Sequence, residues 1–87
     1  MTNAPAASEI ERALLTEISG MFPEVPDITS ATPLQQLGLD SLRLFGIFVL
    51  IENQFGLRLL DGPLTREMLE NISSLAAETA RRLAAEA

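Results

Sequence analysis

A chain of 87 residues with no cysteine and no histidine has room for one small core. It lacks the usual general base, the thiolate nucleophile and the commonest zinc ligands. Its net charge of −6, from 12 acidic residues against 6 arginines, repels phosphate backbones and argues against nucleic-acid binding. No apolar run reaches the roughly 18 residues of a membrane span, and no basic-then-apolar signal opens the chain, so a soluble cytoplasmic protein is expected.

Residues 1–7 are small and polar, include Pro5 and read as a flexible tail ahead of one domain over 8–87. Ser8 with Glu11 spells a capping box. Behind it Ile10, Leu14, Ile18 and Met21/Phe22 form one apolar stripe, which predicts a helix over 8–22 that Pro23 ends. The next 17 or so residues carry Pro23, Pro26 and Pro33, a long connection for a compact domain. Val25, Ile28, Leu34, Leu37 and Leu39 are expected to tuck this loop onto the core. A short helical turn is expected at 33–37, with Thr32 as cap and Pro33 in the first helical position.

Asp40 is a good N-cap for a helix over 41–54, and Gly56 stands where a left-handed C-terminal cap belongs. Leu44, Ile47, Phe48, Ile51 and Phe55 make its core stripe, whereas Phe45, Val49 and Leu50 point elsewhere. The run 47–51 alone also suits a buried strand, but no second strand exists for it to pair with. Residues 56–63 are a turn-rich connector. A short helix is expected at 65–69, capped by Thr65, with Met68 and Leu69 inward. Ser73 or Ser74 caps a last helix to about residue 85, with Leu75, Thr79/Ala80 and Leu83 inward and Arg81 and Arg82 placed for the helix dipole. The fold class is all-α: a small bundle of three main helices plus one short helix, with a long packed loop between the first two.

The chemistry is sparse. Ser41 opens an apolar helix, but no histidine or lysine exists to deprotonate it, and a serine without a base is a weak nucleophile. Asp40 is committed as a cap, and paired carboxylates would need a pocket that so small a bundle hardly has. The 27–30 stretch lacks the repeated acids, glycine and closing glutamate of a calcium loop, so no metal site is expected. Self-contained catalysis is not expected. A bare Asp-Ser-Leu is most often only a cap followed by an N1 serine; here a long proline-bearing loop precedes it and an apolar helix follows.

With those pieces in order, the chain resembles the acyl carrier protein family and the related peptidyl carrier domains, from about Ser8 to Leu83. Leu37-Gly38-Leu39-Asp40-Ser41-Leu42 looks like the family's modification motif. Glu52-Asn53-Gln54-Phe55 resembles the end of its second helix, and Ile72-Ser73-Ser74-Leu75 the entry to its last. The resemblance implies a carrier, not an enzyme. Ser41 would receive covalent 4′-phosphopantetheine from coenzyme A through a phosphopantetheinyl transferase, and acyl groups would ride on the arm as thioesters. Asp40 would cap the helix and take part in transferase recognition. The partners would be that transferase and the acyl-loading and acyl-processing enzymes of one pathway, served by a freestanding monomer.

The chain departs from the fatty-acid type, whose second helix is strongly acidic. Between Ser41 and Ile51 the only charge is Arg43, and the acid lies instead on Glu9, Glu11, Glu17, Glu24 and Asp27. Leu42, Arg43, Phe45, Gly46 and Val49 are therefore the candidate partner surface, as exposed apolar patches often are. The bland alternative buries Phe45, Val49 and Leu50 against the loop or third helix. A specialised fatty-acid or polyketide-type pathway is expected. An aminoacyl, peptidyl or D-alanyl carrier shares the chemistry, and an unmodified helical adaptor is the alternative of another class.

Overall fold

The computed structural model describes residues 5–38 and 40–86, so the expectations for residues 1–4 and for Leu39 lie outside the described residues. Three α-helices of 15 residues each form the domain: α1 (Ala7–Met21), α2 (Ser41–Phe55) and α3 (Ile72–Glu86). The run 47–51 is helical, so the strand alternative falls. None of these helices is long and apolar enough to cross a membrane.

The stripe of α1 behaves as its period requires. Ile10, Leu14 and Ile18 are fully buried, with Phe22 just past the helix end. Its start differs from expectation. The capping box does not form, because Ser8 already lies inside the helix and Ala6 is the cap residue, without a side-chain bond. The Ala6 carbonyl instead accepts from Glu9 N at 3.0 Å and Ile10 N at 3.1 Å.

The long loop is a packed crossover. Leu34 and Leu37 are buried, and Val25 and Ile28 pack half-buried against the core. Leu34 N donates to Glu70 O at 2.9 Å and Ser73 N to Ser30 O at 3.0 Å, which laces the loop to the entry of α3. The expected turn is a 3-10 helix over Leu34–Leu37, and Pro33 precedes it rather than opening it. Thr32 does not cap it. Its Oγ1 accepts from Thr29 N at 2.9 Å and so braces the loop instead.

After α2 come two single 3-10 turns, Leu59–Asp61 and Glu67–Leu69. The second stands where a fourth helix was expected. Thr65 Oγ1 accepts from Met68 N at 3.3 Å, Met68 is buried and Leu69 half-buried. Neither Ser73 nor Ser74 caps α3. Asn71 does so, its Oδ1 accepting from Ser74 N at 2.7 Å, which places both serines inside the first turn. On α3, Leu75, Ala76 and Thr79 are buried, and the Thr79 hydroxyl is satisfied by donating to Leu75 O at 2.8 Å.

Candidate functional site

The N-terminus of α2 is built by two short-range devices. Gly38 ends the preceding 3-10 turn at φ 68°, a left-handed conformation that suits glycine. Asp40 then takes an extended conformation, and its Oδ1 accepts from Arg43 N at 2.8 Å while its carbonyl accepts from Leu44 N at 2.9 Å. Ser41 is thereby fixed as the first helical residue, and it is exposed.

Its surroundings explain what that serine can and cannot do. The Asp40 carboxylate is engaged as the cap, as the sequence suggested, and is not aimed at the hydroxyl as a base. The first N–H groups of a helix have no intrahelical partner, and the dipole there favours negative charge. Arg43 N is already taken by the Asp40 cap. An exposed hydroxyl at that place fits a phosphodiester.

Beyond Ser41 the helix divides into faces. Ile47, Phe48 and Ile51 enter the core, with Leu44 and Phe55 half-buried beside them. Leu42 is 78% exposed, Phe45 52% and Val49 38%, so these three keep an apolar strip in solvent at i, i+3 and i+7. Leu50 does not join them, because it turns half-buried onto the core. Arg43 lies with its guanidinium 4.6 Å from the Phe22 ring centroid and 3.5 Å from Glu24, which ties its charge to the loop after α1. At Gly46 an added Cβ would stand 3.6 Å from the Met21 methyl, so the end of α1 already approaches this position.

Sequence reasoning missed Leu60. This residue is 53% exposed and, with Phe45, Phe48 and Val49, lines a shallow pocket of about 260 Å³. A leucine beside turn residues is the only sequence signal it gives. On the other side of α2, Leu34, Leu44 and Leu69 floor an open groove of about 620 Å³, with Arg66, Glu67 and Glu70 among its other lining residues.

A second missed group holds α3 to the connector. Glu78 accepts from Arg81 Nη2 at 2.5 Å and from Arg82 Nε at 2.7 Å. These bonds, Arg81 first, hold its carboxyl down to about 2, and the Arg81 guanidinium is raised in turn. Arg81 and Arg82 thus reach back to Glu78 rather than serving the last turn of the helix, as the sequence had suggested.

Residues 12–85 match the family described as the phosphopantetheine attachment site, a span that runs from the first half of α1 to the end of α3. No protein of curated function and no solved structure matches the chain. Domains of this family act as carriers rather than catalysts and interact with a phosphopantetheinyl transferase and pathway enzymes. The chain belongs to this phosphopantetheine-attachment carrier family, whose domains bear the arm covalently on a serine.

Proposed function

We propose that Ser41 is the attachment serine and that the protein is an acyl carrier protein. The observation that carries this reading is the exposed Ser41 hydroxyl on the first residue of α2, behind an aspartate already engaged as the cap. In the transfer step Ser41 Oγ bonds to the pantetheine-side phosphorus of coenzyme A. The phosphoanhydride bond breaks, 3′,5′-adenosine bisphosphate leaves, and the hydroxyl proton passes to a base of the transferase. The chain's own part is to present the hydroxyl, through the Asp40 cap, and to receive the phosphodiester at a helix N-terminus, where the dipole favours negative charge. When bound, the arm supplies the thiol that this cysteine-free chain lacks, on which acyl groups are held as thioesters.

The weakly charged, apolar α2 supports service to a specialised fatty-acid or polyketide-type pathway, with Leu42, Phe45 and Val49 as the partner surface. The same feature favours, as a second reading, an aminoacyl, peptidyl or D-alanyl carrier. Incubation with coenzyme A and a broad-specificity transferase, followed by intact mass, is the test. One arm is gained, and Ser41→Ala abolishes the gain. No gain by the wild-type chain, or an arm on Ser73, overturns the assignment.

A further inference from the structure

The connector after α2 returns along that helix. Leu57 and Leu59 anchor it, both almost fully buried. Leu60 serves no such purpose, since it stands half in solvent beside Phe45 and Val49. What fixes it there is an arginine from another helix. Arg82, with a side chain only 12% exposed, donates from Nη1 to Leu59 O at 3.4 Å, from Nη2 to Pro63 O, and from Nε to Glu78 at 2.7 Å. The guanidinium therefore spans the carbonyls on either side of the Leu60–Gly62 segment. Gly62 belongs to the same device. Its backbone, at φ −126° and ψ 179°, suits any residue, yet an added Cβ would lie 2.9 Å from Arg82 Nη1. Glycine at this position leaves room for the guanidinium.

We infer that Leu60 completes the docking surface beside Ser41, that Arg82 is its positioning residue, and that the transferase covers this surface through apolar contact; this rests on the carrier reading above. The transferase is the occupant because it must close over Ser41, and Leu42 is the next residue. The strip extends from there to Val49, about 10 Å along the helix. The charges along it mostly pair off, Arg43 with Glu24 at 3.5 Å and Arg58 with Glu52 at 3.3 Å, leaving two acids at its ends: Asp40 at the helix start, where it serves as the cap, and Asp61 on the pocket rim. A surface of that kind meets an uncharged apolar face, and its binding depends weakly on salt.

The test is steady-state kinetics of a broad-specificity phosphopantetheinyl transferase with coenzyme A and varied carrier. Leu60→Ala raises KM about fivefold, with kcat within about twofold of wild type. Arg82→Met and Gly62→Ala raise KM in the same direction. Combining Arg82→Met with Leu60→Ala adds less than about twofold to the effect of Leu60→Ala alone, because both act through one side chain. The wild-type KM rises less than about threefold between about 50 and 500 mM salt. A wild-type KM for Leu60→Ala, multiplying effects in the double variant, or a salt effect above about tenfold overturns the inference. Gly62→Ala keeps Arg82 in the chain, so it carries the test of the clamp if Arg82→Met does not fold. Failure of the carrier reading is a separate outcome, in which the wild-type chain gains no arm.

Discussion

The helices on either side of the second connector have equal length and treat their outward faces in opposite ways. On α3 the core takes Ile72, Leu75, Ala76 and Thr79, while Ser73, Ala77, Arg81 and Ala84 face solvent. Every outward position there is small or charged, and Glu78 holds both arginines. On α2 the core takes Ile47, Phe48 and Ile51, and the outward face keeps Leu42, Phe45 and Val49. Folding requires an inner stripe from each helix and asks nothing of the outer one. The outer face of α3 is therefore a solvated surface, and the connector is fastened by the largely buried Arg82 beside it. The outer face of α2 keeps three apolar side chains in solvent that the core does not use.

The largest effect separates the inner from the outer demand. Leu75→Ala, at a fully buried position, lowers stability by about 3 kcal/mol in urea unfolding. Phe45→Ala, half in solvent, lowers it by less than about 1 kcal/mol while raising the transferase KM. Equal stability losses would show that Phe45 is part of the core and would erase the contrast between the helices.

The two caps sharpen the comparison at a smaller scale. Asp40 and Asn71 each accept one N–H three residues on, at 2.8 and 2.7 Å, so replacing either by alanine costs about 1 kcal/mol. Only Asp40→Ala slows arm transfer, because only that cap holds the turn that presents Ser41. Urea midpoints and arm uptake followed by mass read the two quantities on the same samples. Equal slowing by Asn71→Ala would mean that transfer follows general stability rather than the geometry of the α2 start.

What the sequence made legible was local. Asp40 and Gly56 bracket α2 because a cap carboxylate and a left-handed glycine act within a few residues, and both stand where expected. The stripe Ile10, Leu14, Ile18 needed only its period. The capping box at Ser8 failed because the helix is capped two residues earlier, at Ala6, so the Ser-x-x-Glu spacing falls inside it. Asn71 was passed over for two serines that compete for the same role at adjacent positions. The burial of Leu50 beside the exposure of Val49 depends on where neighbouring segments lie, which periodicity does not carry. The position of Arg82 near the end of α3 signals only its own helix dipole; its carbonyl partners are 19 and 23 residues away in the chain.

The smallest effect tests the polar half of the contrast through pH. Glu78 has its carboxyl held at about 2 instead of the ordinary 4.5, by Arg81 and Arg82. A lowered folded-state value means that the charged form stabilises the fold above pH 4.5, and that this contribution is lost as pH falls toward 2. With part of the pair open to solvent, Glu78→Gln costs about 1 kcal/mol or less at neutral pH. The difference between wild type and Glu78→Gln in urea unfolding therefore shrinks between pH 4.5 and 2. The stability difference between wild type and Phe45→Ala stays flat over the same range, because the strip of Leu42, Phe45 and Val49 holds no ionisable group. A pH-dependent Phe45→Ala difference would tie that strip to the charges of the bundle and remove the neutrality on which apolar docking rests.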